Sequence, residues 1–268
     1  MPKTPNPLLQ MTEAISHEKV TASRPDESFL ETALPGFKLA LIARRSIREY
    51  DGRPIPEEIM KDCLRDAILA PSSSNLQTYE LYWVRHPERK NGVTKACLDQ
   101  PATNTAGELI VVVARGDLWK ANLKKLINIM TDGGHKPLAK PMDEYYNKIV
   151  PMLMKNDPFG YYNLLRRVVY WFKGLSEPFI RTPVNQGDHR IYAHIQASLA
   201  AETLLISLAA HGYDSCPIGG MDKFRIAKIL DLPKGAEVSM VIAAGRGKPE
   251  GLYGPRIRLA EQDLIKEV

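Results

Sequence analysis

Arg44-Arg45-Ser46-Ile47-Arg48 and, some twenty residues on, Ala70-Pro71-Ser72-Ser73-Ser74-Asn75-Leu76-Gln77 are the stretches on which the reading of this 268-residue chain turns. If the first is extended, Arg44, Ser46 and Arg48 present their side chains together, because successive residues of a strand point to opposite sides. Arginine's planar fork pairs bidentately with phosphate, and each such charged hydrogen bond contributes roughly 1.5–3 kcal/mol. The plain alternative is that Arg44 and Arg45 cap the preceding helix and meet solvent. The second stretch begins where Pro71 stops a helix, since proline disfavours helical geometry at the residue before it. Its serines and asparagine make a turn rich in side-chain and backbone donors.

Working outward, the helix that Pro71 ends covers residues 56–70. Pro56 suits the first helical position, Glu57 and Glu58 suit the positive end of the macrodipole, and Ile59, Cys63, Leu64, Ala67 and Ile68 share a face. Upstream, residues 1–36 read as a polar extension marked by Pro2, Pro5, Pro7 and Pro25, with helical pattern in two pieces around Pro35-Gly36. Downstream, three strands are legible at 80–86, 108–114 and 238–244, the middle one apolar throughout and so covered on both faces. Residues 195–211 form a helix that is apolar nearly all round and ends at Gly212. Such a helix belongs in a core or a subunit interface. Residues 117–188 hold 10 of the chain's 20 aromatic residues, including Tyr145, Tyr146, Phe159, Tyr161, Tyr162, Trp171 and Phe172. They show no strand pattern and read as a helical insertion that divides one domain into 37–116 and 189–268.

Composition narrows the class without deciding it. A hydrophobic share of 44% and a charged share of 25% are those of a globular chain. A net charge of +5 fits a phosphate-bearing ligand, nucleic acid or an acidic membrane surface equally well. Three cysteines without C-x-x-C spacing point to a reducing compartment, and neither a signal-peptide core nor a run of about twenty apolar residues is present. These features predict a soluble, cytoplasmic protein. The six histidines show no metal-ligand spacing, so no metal is expected. Gly245-Arg246-Gly247-Lys248-Pro249-Glu250-Gly251 nearly matches a dinucleotide fingerprint. Its third glycine is one residue late, however, and Pro249 and Gly251 forbid the helix that would receive a pyrophosphate.

Arg-Arg-Ser-x-Arg followed by Ala-Pro-Ser-Ser-x-Asn-x-Gln resembles the opening of the nitroreductase family. Pro217-Ile218-Gly219-Gly220, after the long apolar helix, resembles that family's Pro-Ile-Glu-Gly turn, and Ala243-Ala244-Gly245 with Arg256-Ile257-Arg258 agrees with its end. The resemblance implies an α+β fold: a mixed, mainly antiparallel sheet wrapped by helices in an intertwined homodimer with two FMN sites. It implies FMN as cofactor and NAD(P)H as electron donor, with hydride passing through flavin N5 to a nitroaromatic or quinone in a ping-pong cycle. Carried over residue by residue, Arg44 and Ser46 lie on the phosphate side, joined by Arg256 and Arg258, Arg45 is counted among the cofactor-binding residues, and Arg48 lies near N1 and the C2 oxygen. Ser72, Ser73 and Asn75 lie along the flavin from the partner subunit, with Pro71 and Gln77 also counted as cofactor-binding. The backbone amides of Gly219 and Gly220, in the cofactor-binding turn that Pro217 and Ile218 begin, face N5 and O4. Gln196 matches a glutamine of the long helix, and Gln100 or Asn104 reaches the pyrimidine edge.

Gly219 departs from the family's glutamate. Glu144, Tyr145 and Lys148 loosely resemble the lid residues of the iodotyrosine deiodinase branch, at a spacing too compact to carry that substrate over. The insertion reads either as a lid that sets acceptor size or as a helical pair packed on the dimer exterior. A specialised flavin or halogenated-aromatic reductase on the same fold is the rival enzyme. A basic module for nucleic acid or an anionic membrane, resting on residues 163–173, is the rival from another class. The enzyme reading itself implies a small-molecule acceptor, with no nucleic acid or membrane partner.

Overall fold

The computed structural model describes residues 27–155, 157, 160–176 and 178–268. Expectations for residues 1–26 and for Phe159 lie outside them. Helix α1 is Glu27–Ala43, α2 is Glu57–Ala67, and strand β1 is Tyr79–Trp83. After α3 (Pro87–Ala96) and α4 (Pro101–Thr105) comes β2, Glu108–Ala114. Next come α5 (Trp119–Met130), α6 (Lys140–Glu144), a π-helical turn at Tyr145–Ile149, α7 (Val150–Met154) and α8 (Tyr161–Ser176). The chain then returns through α9 (Gln186–Ala210), β3 (Asp214–Ile218), α10 (Lys223–Ile229), β4 (Glu237–Gly245) and α11 (Glu261–Leu264).

Four strands form one sheet in the order β1-β2-β4-β3, every neighbouring pair antiparallel. Strand alternation sorts β2 into two cores. Ile110, Val112 and Ala114 face α9 and α2 with Ala197, Ala200, Leu204, Met60 and Cys63, whereas Leu109, Val111 and Val113 face Val93, Ile226 and Leu230. All seven residues of β2 are buried: Leu109 to Ala114 as an unbroken apolar run requires, and Glu108 with its carboxylate accepting from the Ile55 amide and Trp83 Nε1.

Three expectations change. The helix before the arginine run is a single element through Pro35, not two pieces. The long apolar helix begins nine residues early, because Asn185 caps it: its Oδ1 accepts from the Asp188 amide at 3.0 Å, and Asp188 accepts from the Val184 amide at 2.8 Å. Its inner face fills the core, while Ile191, Ile195 and Leu199 stay exposed in the single chain. Finally, residues 214–218 form a fourth strand where only a turn was expected at Pro217-Ile218. It is an edge strand, where a proline that cannot donate to a ladder is tolerated.

Candidate functional site

Residues 44–51 run extended along the open side of β3. Ser46 bridges Ser215 in parallel, and Tyr50 bridges Gly247 in antiparallel sense. The Arg48 amide donates to the Gly251 carbonyl at 2.9 Å, and the Lys248 amide to the Glu49 carbonyl at 2.9 Å. Tyr50 locks the segment from beneath. It is 1% exposed, and its hydroxyl donates to the carbonyls of Ile47 (2.7 Å) and Ala243 (3.1 Å). Burial, helped by Cys216 and Asp214, pushes its pKa far above the ordinary tyrosine value, so it is a structural donor.

This strand and the returning C-terminal arm enclose a cleft of about 380 Å³ lined by Arg44, Arg45, Ser46, Arg48, Arg256 and Arg258 with Tyr253. Six residues singled out from sequence, lying more than 200 positions apart, thus meet in one place. Arg256 Nη2 donates to the carbonyls of Ile42 (2.8 Å) and Arg44 (2.9 Å), and Arg45 Nη2 to Gly254 (2.7 Å). The Arg48 guanidinium lies over the Tyr253 ring at 5.2 Å from its centroid and donates to the Ser46 carbonyl at 3.3 Å. Among the described residues none of these five guanidiniums has an ion-pair partner. Partial desolvation and then the charges of Arg258, Arg45 and Arg44 lower the pKa of Arg256. Like charges converge here without an internal counter-charge, which is the donor set that a polyanion would neutralise.

The other predicted groups are dispersed. Pro71–Gln77 lies apart from this cleft within one chain; Asn75 and Gln77 instead line a second one with Asn122 and Leu126 of α5. The loop is held in an uncommon shape. Ser74, Asn75 and Gln77 have φ of 52°, 53° and 48°, each costing on the order of 1 kcal/mol for a non-glycine residue. Ser72 Oγ accepts from the Gln77 amide at 3.1 Å, Ser73 begins a 3₁₀ turn, and Ser74 Oγ meets the Tyr145 hydroxyl at 2.8 Å. Gln100 Nε2 donates to Gly220 at 2.7 Å, fixing the glycine turn that follows Ile218; Asn104 Nδ2 donates to the Asp99 carbonyl. Gln196 is buried, and its Oε1 accepts from Thr78 Oγ1 (2.9 Å) and the Thr78 amide (3.2 Å), tying α9 to the start of β1. In this chain that oxygen is occupied by the protein itself.

A model of the nitroreductase family matches residues 41–246. The chain belongs to the nitroreductase family. It is 26% identical over 232 residues to the NADH dehydrogenase of Thermus thermophilus, covering 86% of this chain and 97% of that one. It is 29% identical over 232 residues to YdgI of Bacillus subtilis, assigned as an NAD(P)H nitroreductase, covering 84% and 93%. An Exiguobacterium sibiricum protein assigned as a nitroreductase and solved in complex with FMN matches with a TM-score of 0.62 at 26% identity, covering 87% of this chain and 97% of that chain.

Sequence reasoning missed Tyr50, Tyr253 and two glycines. A Cβ on Gly251 would sit 2.6 Å from the Glu49 amide nitrogen, and one on Gly247 would sit 2.6 Å from Asp214 Oδ2. These glycines imitate a dinucleotide fingerprint; Gly251 lets its backbone close on that of Glu49 beside the cleft, and Gly247 makes room for the Asp214 carboxylate and Ile47. The available signal was their spacing in a segment that does not continue as a helix.

Proposed function

We propose that this chain is an FMN-dependent oxidoreductase that moves hydride from NAD(P)H to an electron-poor acceptor, a nitroaromatic or a quinone, in a ping-pong cycle. The observation that carries the reading is the convergence of Arg44, Arg45, Arg48, Arg256 and Arg258 on one cleft without an ion-pair partner among the described residues. That donor set fits a ligand bearing a dianionic phosphate at one end and a ring that gains negative charge on reduction. FMN, when bound, supplies hydride acceptance and donation at a single ring nitrogen. Arg44, Arg45, Ser46, Arg256 and Arg258 would hold its phosphate. Arg48 would place a fixed cation where the reduced ring carries charge, and the backbone amides of Gly219 and Gly220 would donate to the ring's edge. Pro71, Ser72, Ser73, Asn75 and Gln77 would come from the second subunit of a homodimer. Their distance from the arginine cleft within one chain supports that reading, as do the exposed Ile191, Ile195 and Leu199 on α9. A Cβ on Gly219 would meet nothing within 4 Å, so glycine there leaves open room where the family's glutamate would stand.

The test is direct. Protein purified without added cofactor is expected to be yellow and to release FMN on denaturation. Under anaerobic conditions NADH or NADPH is expected to bleach it, and a quinone or nitrofuran to restore the colour. Bound flavin that neither nicotinamide reduces would overturn the proposal.

A further inference from the structure

Helix α8 is built inside out. Its core-facing side carries Arg166 and Tyr170, 4% and 6% exposed, with Asn163 and Gly174 half-buried beside them. The Arg166 guanidinium donates to the carbonyls of Met152 (3.1 Å), Leu153 (3.4 Å), Lys155 (2.7 Å) and Pro183. The opposite side carries Leu164, Leu165, Val168, Trp171, Phe172 and Leu175, each 45–64% exposed. At 3.6 residues per turn these six, with exposed Tyr161, form one continuous arc that Arg167 borders on one side; Val169, 41% exposed, widens it on the other side toward Lys173. An ordinary surface helix has the reverse polarity, apolar inward and charged outward. An outward apolar arc of this kind needs a cover.

We propose that this face of α8 docks on the surface of an anionic lipid bilayer. The charges decide between covers. Residues 161–176 contain no Asp or Glu, and the insertion 117–188 holds eleven Lys and Arg against seven Asp and Glu, which is +4 of the chain's +5. An apolar arc with Trp, Tyr and Phe, bordered by cations, matches the interface between acyl chains and acidic headgroups. A two-fold contact that packed α8 on its own mate would gather the basic residues of both helices with no acidic residue on either helix to pair them. At about 1.5 Å per residue, the 16-residue helix offers a face roughly 24 Å long, enough for peripheral attachment. The proposal is independent of the redox chemistry assigned above.

The full-length protein should co-sediment with vesicles of about 30% phosphatidylserine in phosphatidylcholine at low salt and be partly released as salt rises. The Trp171→Ser/Phe172→Ser variant should weaken that binding at least roughly tenfold, since each aromatic contributes substantial apolar area. Arg167→Glu/Lys173→Glu should abolish the preference over pure phosphatidylcholine. All four side chains are exposed, so circular dichroism and melting temperature should match the parent. Absence of vesicle binding at low salt, or binding untouched by both variants, overturns the proposal. A Trp171→Ser/Phe172→Ser variant that changes oligomeric state while the parent ignores vesicles assigns the face to a second copy and also overturns it.

Discussion

Arg166 and the arginines of the Arg44–Arg258 cleft differ in where their donors point. Arg166 is buried, and four main-chain carbonyls from the end of α7 and from Pro183 take its hydrogens. The cleft arginines are half-buried or exposed. They make few bonds, all to nearby carbonyls, and face one another around an open volume. The first arrangement consumes a cation to close helix ends. The second keeps cations available and tolerates their mutual repulsion. An arginine's role is therefore read from its unspent donors rather than from its neighbours in sequence.

The comparison can be broken at either end. Arg44→Ala with Arg256→Ala should weaken FMN binding by about 10²–10⁴-fold, from two charged contacts of roughly 1.5–3 kcal/mol each. Equilibrium titration of apoprotein with FMN measures this, and melting of the apoprotein should hardly move. If apoprotein stability falls and affinity does not, the cleft arginines are structural like Arg166.

Arg166→Met is the complementary case. It strands buried carbonyls, so a stability loss of about 3 kcal/mol is expected, lowering the melting temperature by roughly 6–12 °C. Flavin content of the folded fraction should match the parent. A variant that melts normally would show that those carbonyls find other partners.

Within the cleft, Arg48 should behave unlike Arg44. Arg48→Ala is expected to lower the bound flavin's two-electron potential by about 30 mV, equivalent to ~1.4 kcal/mol, with a smaller effect on occupancy. Redox titration against a dye of known potential tests it. Collapse of occupancy with an unchanged potential would place Arg48 among the phosphate residues.

The smallest effect concerns His189, near Arg166. Both ring nitrogens are buried and, among the described residues, have no hydrogen-bond partner, and desolvation followed by the Arg166 charge lowers the pKa. The unfolded chain then binds its proton first. Stability is full above the ordinary histidine value of about 6.5 and declines as pH falls from there toward the lowered folded value. Melting temperature should drop across that acidic window, and His189→Phe should flatten the slope. An unchanged slope would assign the acid sensitivity to other groups.

Much of the framework was legible because periodicity reports burial. β2 read as a strand covered twice because six of its residues, Leu109 to Ala114, are apolar without a break, and α2 because its apolar residues recur at helical spacing. β3 was hidden by Pro217 and by Asp214 and Ser215, which an edge strand accepts and a pattern search rejects. The cleft was half legible. Alternate spacing singled out Arg44, Ser46 and Arg48, but Tyr50 and Tyr253 bear on it only through contacts with Ile47, Ala243 and Arg48. Gln196 is a motif position whose side-chain oxygen is engaged by Thr78, a contact between distant segments that the motif does not display.

What the chain determines by itself, then, is which residues carry charge, which segments must be buried, and that the motifs occur in the family's order, because these are properties of composition and spacing along one dimension. Tertiary structure decided that residues 44–48 and 252–258 face each other, that Arg166 is spent while Arg44 is not, and that α8 turns its apolar side outward. Each depends on contacts between segments distant in sequence. Hydrogen-bond donors are consumed or left free only once the backbone that could accept them has been brought near.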